Sequence, residues 1–220
     1  MCGRYSLTLD AEDIIEMFLI DEFLAEEWRP RYNIAPSQKV LGAVEVNGKR
    51  RAGYFYWGLT PKWIKEPQKW KPLINARSES LLEKISFKDL VNKRRCILFA
   101  DGFYEWRRKG QDKQPFRFFR KDKQPFAFAA LWDVNEVSGE KKPSCTILTT
   151  SPNEMVGPIH DRMPVILKEE QLSLWLDHQV PYEQIQSQLA PYPADEMDVY
   201  QVSEQVNSPK NDHPSILQKI

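Results

Sequence analysis

The sequence predicts one α+β domain, built around a curved, largely antiparallel, barrel-like β-sheet that is flanked by helices. Three observations support this fold class: short strand-like apolar runs separated by turn residues, an Asn-Gly hairpin signal, and no internal repeat or low-complexity linker in 220 residues. We expect a single domain over residues 1–220, with an irregular tail from about residue 204. Seven Trp, eleven Phe and eight Tyr provide ample apolar area for one core.

The first predicted element is a helix over about residues 10–28. Asp10 is a candidate N-cap, the first turn is acidic, and apolar residues follow at near-helical spacing. Further helices are expected near 152–158, 168–177 and 181–190.

A β-hairpin is predicted where Val40–Val46 and a second run ending at Trp57 flank Asn47-Gly48, because this dipeptide readily supplies the two positive φ angles of a type I′ turn. The segment 60–72 holds three prolines and four lysines without a strand or helix period, which predicts a loop. The other strands are expected at 95–100, 103–107, 115–120, 125–132, 145–150 and about 198–203.

The charges are distributed unevenly although the formal net charge is zero. Residues 29–125 carry 24 basic and nine acidic side chains, whereas the segments on either side are acidic. Such a block is typical of a cationic surface for a polyanion, since neutralising phosphates releases condensed counterions. The alternative is that these charges are spread over a solvated surface.

The three cysteines, Cys2, Cys96 and Cys145, include no CxxC pair and no nearby histidine, so we expect neither a metal nor a cofactor. Cys96 and Cys145 lie in apolar, strand-like runs and are interpreted as buried small hydrophobic residues. The sequence shows no signal peptide and no run approaching the roughly 20 apolar residues that span a bilayer. We therefore expect a cytoplasmic protein without a membrane partner.

Cys2 is the most suggestive residue, because removal of Met1 leaves it with a free α-amine beside its thiol. The amine titrates near ~8 and the thiol near ~8.5, so each has an accessible nucleophilic form near neutrality. An aldehyde can form a Schiff base with the amine, and the thiolate can then close a five-membered thiazolidine. The alternative is a cysteine that occupies the second position by chance. Arg4 lies close enough in sequence to hold a phosphate beside this terminus.

Three further segments contain residue types suited to this chemistry. Asn75 could orient a reacting group and Arg77 could pair with phosphate, the alternative being a helix start in which Arg77 pairs with Glu79. Glu105 lies between aromatic residues in a predicted strand, where burial would raise its pKa and suit it to proton transfer, unless it faces outward. His160, in a loop before an apolar strand, has an ordinary pKa near ~6.5 that suits proton exchange during ring opening of an abasic sugar.

Several motifs in this order resemble those of the SRAP family, the SOS-response-associated peptidases described as abasic-site processing proteins. The resemblance covers nearly the whole chain, and no single motif would be specific alone. The matching segments are Cys2-Gly3-Arg4-Tyr5, Arg31-Tyr32-Asn33-Ile34-Ala35-Pro36, Trp57-Gly58-Leu59, Asn75-Ala76-Arg77, Gly102-Phe103-Tyr104-Glu105-Trp106, Ile159-His160-Asp161-Arg162-Met163-Pro164 and Val206-Asn207.

The resemblance implies a role for each candidate residue. Cys2 would be the thiazolidine-forming nucleophile, and its companions in the active site would be Asn75, Glu105 and His160. Arg4 and Arg77 would hold backbone phosphates. An aromatic residue of the 60–72 loop, Trp63 or Trp70, would pack against bases, since every base offers a π face for stacking.

The expected function is therefore covalent capture of abasic sites in single-stranded DNA, with a weak lyase activity, by a monomer that is nucleoid-associated when bound to DNA. The main alternative is an N-terminal-nucleophile cysteine peptidase that acts on peptides or on its own leader. A non-catalytic single-strand DNA-binding module is the third interpretation, although it leaves the aminothiol unexplained.

Overall fold

The computed structural model describes residues 2–110, 112–136, 139 and 141–220. Its strands are β1 (Tyr5–Leu7), β2 (Glu22–Phe23), β3 (Arg31–Ile34), β4 (Lys39–Val46), β5 (Lys49–Trp57), β6 (Asn75–Arg77), β7 (Arg95–Ala100), β8 (Gly102–Lys109), β9 (Asp112–Arg120), β10 (Phe126–Asn135), β11 (Lys142–Thr150), β12 (Met163–Pro164), β13 (Ile166–Leu167) and β14 (Met197–Gln201). The α-helices are α1 (Ala11–Met17), α2 (Glu169–Leu176) and α3 (Tyr182–Ile185).

Five strands close into a barrel. Strand β4 pairs antiparallel with β5 and β7, β7 pairs with β10, and β10 pairs with β11. Strand β11 then returns to pair in parallel with β5, which completes the ring. The predicted α+β fold with a largely antiparallel, barrel-like sheet is thus confirmed.

A second sheet, in the order β14-β9-β8-β1-β3, is antiparallel throughout. This sheet contains β8, the strand of Glu105, and its strand β1 begins one residue after Arg4. Strand β6, which contains Asn75, runs parallel to β11 of the barrel. The candidate residues therefore come from both sheets.

The predicted hairpin of β4 and β5 is confirmed, because Asn47 and Gly48 both have positive φ angles, of 54° and 71°. The other predicted strands are present with ends that shift by a few residues. The loop 60–72 is also present, with one short 3₁₀ turn at Pro67–Lys69.

The first helix is much shorter than the predicted 10–28. Asp10 caps it as expected, since its side chain accepts from the backbone N–H of Asp13 at 3.0 Å. The helix ends at Met17, and Leu19 takes a left-handed φ of 50° that breaks the helical path. The chain then forms β2, which pairs with β5.

The later helices agree in part with the prediction. Helix α2 lies in the expected segment, whereas the 181–190 segment divides into α3 and a 3₁₀ turn at Gln186–Gln188. The helix expected at 152–158 is a series of turns, because the Asn153 side chain accepts from the backbone N–H groups of Met155 and Val156. Within the part of the chain that the structure describes, no helix is long and apolar enough to cross a membrane.

The tail after residue 204 is more ordered than expected. It contains 3₁₀ turns at Glu204–Asn207 and Pro214–Leu217, and Val202 bridges Lys219. Val206 and Ile216 are buried against Tyr104 of β8. The tail therefore packs on the second sheet.

Candidate functional site

A cleft of about 810 Å³ opens beside the second sheet. Its charged lining comprises five basic side chains and two acidic ones, so the cleft is cationic. The lining residues are Arg4, Ile74, Arg77, Glu105, Trp106, Arg108, Lys113, His160, Asp161, Arg162 and Asn207.

Asn75 connects strand β6 to the amino terminus of the chain. Its Nδ2 donates a hydrogen bond to the carbonyl oxygen of Cys2 at 3.0 Å. Its Oδ1 is buried and accepts no hydrogen bond from any described residue. The nitrogen of the Asn75 amide is thus held by Cys2, whereas its oxygen is an acceptor without a donor among the described residues.

The Cys2 side chain is fully buried, with 0% of its surface exposed. Burial, reinforced by the nearby Glu105 charge, raises the pKa of the Cys2 thiol well above its usual range. This thiol pKa belongs to the chain that retains Met1, and the expected accessible thiolate of the processed terminus stays a prediction. In the chain that retains Met1 the Cys2 nitrogen is also an amide, so neither group is nucleophilic.

Glu105 lies on β8 with only 3% of its surface exposed. Desolvation by burial raises the pKa of this carboxyl to about 7. The burial and the raised pKa expected from its aromatic neighbours are both present. At neutral pH the side chain exists as a mixture of acid and carboxylate, which suits it to proton transfer.

His160 faces Glu105 from the loop between β11 and β12, with its Nε2 3.9 Å from Oε2 of Glu105. Burial lowers the pKa of His160, so the neutral imidazole is favoured at pH 7. Its Nδ1 accepts from the backbone N–H of Arg162 at 3.0 Å and lies 3.0 Å from Asp161. Because Nδ1 meets one donor and two acceptors, the second acceptor being the Arg162 carbonyl oxygen at 3.2 Å, these contacts are compatible with either tautomer of the neutral ring.

Arg77 projects from the end of β6 into the cleft and is exposed. The local pairing with Glu79 that the sequence left open is absent among the described residues. The Glu79 carboxylate instead pairs with Nη1 and Nη2 of Arg162, and this pairing lowers the pKa of Glu79 to about 2. Arg77 remains available to a ligand.

The two loop tryptophans lie apart from the cleft. The rings of Trp63 and Trp70 pack edge to face with centroids 5.7 Å apart. Together they line a separate, shallow depression of about 280 Å³, which also contains Lys65 and Lys69. Their contact with bases stays a prediction.

Seven lining residues were not singled out from the sequence: Ile74, Trp106, Arg108, Lys113, Asp161, Arg162 and Asn207. Trp106 and Arg162 lie within the sequence motifs that contain Glu105 and His160, so these motifs could have indicated them. Arg108 shares a face of β8 with Trp106, because side chains in a strand alternate with a period of two. Lys113 lies on β9 opposite Arg108, and only the strand register reveals this neighbour.

The described residues contain no group of three or more His, Cys, Asp or Glu side chains placed to hold a metal ion.

Comparison with known proteins gives a consistent result. Residues 1–209 match the family described as SOS response associated peptidase (SRAP). The chain is 46% identical to abasic site processing protein YoqW of Bacillus subtilis over 99% of both chains. It is 31% identical to abasic site processing protein YedK of Escherichia coli over 100% of both chains.

Similarity also extends to a vertebrate relative and to solved structures. The chain is 33% identical to abasic site processing protein HMCES of Gallus gallus, of which it covers 78%. A crystal structure of a protein from Bacteroides thetaiotaomicron superposes with a TM-score of 0.90 at 26% identity, covering 100% of both chains. A protein from Bordetella bronchiseptica superposes with a TM-score of 0.79 at 27% identity, over 92% of this chain and 100% of the other.

Proposed function

The chain belongs to the SOS response associated peptidase (SRAP) family, and on this premise we propose that it processes abasic sites in single-stranded DNA by forming a covalent link through Cys2. Relatives that match nearly its whole length are named abasic site processing proteins. The observation that carries the proposal is the contact of Asn75 with Cys2 beside the Glu105–His160 pair, at the wall of a cationic cleft.

The DNA strand is held by charge rather than by base sequence. Arg77, Arg108 and Lys113 are exposed along the cleft, and among the described residues none of them has a carboxylate partner. Their charges are therefore free to pair with backbone phosphates, and Trp106 offers a ring on which a base can stack. An abasic site has no base to read, so a weak sequence preference is expected.

Removal of Met1 converts the Cys2 nitrogen from an amide to a free amine. Asn75 already holds the Cys2 carbonyl, and its buried Oδ1 lacks a donor among the described residues. The new amine supplies such a donor close by. Asn75 thus orients the terminus whose nucleophilicity depends on processing.

The covalent step balances without an oxidant or a cofactor. The neutral Cys2 amine adds to the C1′ aldehyde of the ring-opened sugar, and loss of one water gives a Schiff base. The Cys2 sulfur then adds to the C=N carbon, its proton passes to the nitrogen, and a thiazolidine results. One aldehyde is consumed and one water is released.

Two groups move the protons for these steps. The neutral His160 assists opening of the sugar ring. Glu105, with a pKa raised to about 7 by burial, takes a proton from the attacking amine and returns it to the departing water. Its carboxylate is the base that also accepts the thiol proton.

A weak lyase activity is part of the proposal. The Schiff base acidifies the C2′ hydrogens of the opened sugar, and removal of one of them expels the 3′ phosphate by β-elimination. Glu105 is the base placed for this proton. Ring closure by the Cys2 thiol competes with elimination, so the lyase reaction stays minor.

The peptidase alternative fits this geometry less well. A cysteine peptidase needs a thiolate, whose formation is favoured when the thiol pKa is lowered by a cationic neighbour. Burial instead raises the pKa of the Cys2 thiol. In the aldehyde reaction the amine attacks first and the thiol needs only to close a ring, so a raised thiol pKa is tolerated.

Mass spectrometry of the Met1-free protein with an abasic oligonucleotide tests the proposal. We expect one heat-stable adduct, with the mass of both components less one water, mapped to Cys2. Cys2→Ala should form none, whereas Cys96→Ala, a matched loss of a buried thiol, should form it normally. Stable adduct formation by Cys2→Ala would exclude the mechanism.

The same experiment separates the two other interpretations. Equal binding of intact and abasic strands without a covalent product would indicate a non-catalytic binding module. Cys2-dependent cleavage of a peptide library in the absence of DNA would indicate a peptidase. Since every residue of the proposed site comes from one chain, we propose that a monomer is active.

A further inference from the structure

Two sequence motifs take no part in the chemistry proposed above: the segment 31–36 and the pair Val206-Asn207. The structure brings them together next to Arg4. Strand β3 lies beside β1, and the tail folds back across their edge. We refer to residues 206–212 of the tail as the strap.

Asn33 is the main link between these motifs. It is fully buried, and its Nδ2 donates to three carbonyl oxygens of the strap, those of Val206 at 3.2 Å, Ser208 at 3.0 Å and Asn211 at 2.8 Å. Its Oδ1 accepts from Nη1 of Arg4 at 2.7 Å. The whole amide is therefore committed, on one side to the strap and on the other to Arg4.

Asp212 fastens the end of the strap to the same strand. Its carboxylate accepts from the backbone N–H groups of Tyr32 and Asn33 and pairs with the Arg31 side chain. The strap is thus anchored to β3 by both of its polar ends. Such an arrangement fixes the strap more firmly than a loop tied at one point.

Arg4 is held without loss of its charge. Nη1 donates to Oδ1 of Asn33 and to the carbonyl oxygen of Val206 at 2.6 Å, and both acceptors are neutral. Among the described residues, no carboxylate pairs with Arg4, and its Nε has no acceptor. Although burial lowers the pKa of Arg4 below its usual value, the guanidinium stays protonated. Because Nε is buried, the part of this cation that faces the cleft is Nη2, which makes only an exposed contact of 3.5 Å with the carbonyl oxygen of Asn207.

The strap also holds the aromatic side of the cleft. Oδ1 of Asn207 accepts from the indole N–H of Trp106 at 2.6 Å. The Arg4 guanidinium lies 5.6 Å from the centroid of the Trp106 ring. One strap therefore sets the position of a phosphate-binding cation and of a stacking ring.

We infer that Asn33 is a positioning residue for DNA binding, which acts through Arg4 and through the strap, and that the strap forms one wall of the DNA cleft. This inference rests on the proposed function. Asn33 touches no reacting atom. Its loss should weaken the binding of the strand and leave the covalent step at saturating DNA unchanged.

The test uses single-stranded DNA that carries a tetrahydrofuran abasic analogue, which lacks the aldehyde and reports binding alone. Asn33→Ala should weaken binding about tenfold, the effect of one lost charge-assisted contact. The plot of log affinity against log salt should become less steep by about 0.7, the value for one phosphate on a single strand. Asn207→Ala should weaken binding with an unchanged salt slope, because it loosens a stacking ring.

Two control variants test whether Asn33 acts through Arg4. Gln205→Ala alters an exposed residue directly before the strap, whose side chain makes no hydrogen bond among the described residues, so its binding should match the parent. The double variant Arg4→Ala/Asn33→Ala should lose less affinity than the sum of the two single changes, because both of them remove the Arg4–Asn33 contact. The rate of crosslinking to a true abasic strand at saturation should be equal in the parent and in Asn33→Ala.

The outcomes are distinguishable. If the parent crosslinks abasic DNA but Asn33→Ala binds like Gln205→Ala, the inference is wrong and the proposed function stands. If the parent forms no adduct, the proposed function itself fails. Should Asn33→Ala not fold, Asn207→Ala, whose side chain is exposed, decides whether the strap contributes: parent-level affinity would overturn the inference.

Discussion

Nε2 of His160 lies 3.9 Å from Oε2 of Glu105, and burial shifts the pKa values of these two groups in opposite directions. It raises the pKa of Glu105 to about 7 and lowers the pKa of His160. At neutral pH the Glu105 carboxyl is therefore partly protonated and can both accept and return a proton, while burial favours the neutral imidazole of His160. A site that must both accept and return a proton requires this property.

Glu105→Gln should slow adduct formation at saturating abasic DNA by about 100-fold or more, the usual contribution of a general acid or base. The carboxylate form accepts the amine proton, so the parent rate should rise with pH and level off above about 7. The variant should lose this inflection and bind the strand at least as well as the parent. Single-turnover rates from pH 5 to pH 9 measure both effects.

Glu83→Gln is the matched control, since it removes an exposed carboxylate outside the cleft lining. An unchanged pH profile in Glu105→Gln would show that another group sets the inflection.

The raised pKa of Glu105 also predicts a dependence of stability on pH. Because the folded protein binds this proton more tightly than the unfolded chain does, the burial of Glu105 destabilises the fold increasingly as pH rises from 4.5 to about 7. The cost is constant above that range, at roughly 3 kcal/mol. Glu105→Gln should therefore gain stability relative to the parent at high pH.

Urea denaturation of the parent and of Glu105→Gln at pH 5 and pH 8 checks this prediction. The stability difference between the two proteins should be larger at pH 8 by roughly 2 kcal/mol, and the effects of groups distant from Glu105 cancel in that comparison. A difference that does not change with pH would contradict the raised pKa.

The local features of this fold were readable from the sequence, because they depend on neighbouring residues. The Asn47-Gly48 turn follows from positive φ angles that few residues adopt, and the burial of Glu105 follows from the aromatic residues on either side of it. The cap of α1 at Asp10 was equally evident. The length of α1 was not evident from the sequence. The segment 10–28 has a near-helical apolar spacing, but Glu22–Phe23 pair with β5 and form a strand instead.

The features that were missed depend on contacts between distant segments. Asn33 and Asp212 are 179 residues apart in the chain and meet only because the tail crosses β3. The partner of Glu79 is Arg162, although Arg77 is much closer in sequence. The burial of Cys2 is a property of the assembled core, whereas its position at the terminus suggested exposure.

The two groups of tryptophans should respond differently to the length of the DNA. Trp106 lines the cleft and Trp63 lines a separate depression. Trp106→Ala should weaken binding to an abasic strand of any length by about tenfold, the value of one stacked base. Trp63→Ala should affect only strands long enough to leave the cleft, longer than about 5 nucleotides.

Fluorescence anisotropy with a short and a long single strand, each carrying the tetrahydrofuran analogue, separates these effects. Trp28→Phe is a suitable control, as this indole lies against Leu9 away from both surfaces. If Trp63→Ala weakened binding of the short strand as much as Trp106→Ala does, the loop 60–72 would have to reach the cleft.

Glu79→Gln should strengthen DNA binding, in contrast to the other substitutions. Glu79 occupies both guanidinium nitrogens of Arg162, which lines the cleft. With a neutral glutamine the Arg162 charge becomes available to a phosphate, while its hydrogen bond to the Thr149 carbonyl oxygen at 2.7 Å still holds the side chain in place. We expect affinity to rise a few-fold and the salt dependence to steepen by about 0.7. Stability should fall by at most about 1 kcal/mol, because the Glu79 side chain is 55% exposed.

Equilibrium titrations of DNA binding at several salt concentrations, with Glu83→Gln as the control for a lost surface charge, provide the measurement. Weaker binding by Glu79→Gln would instead mean that the ion pair orients Arg162 toward the strand, so the sign of the change decides between competition and positioning.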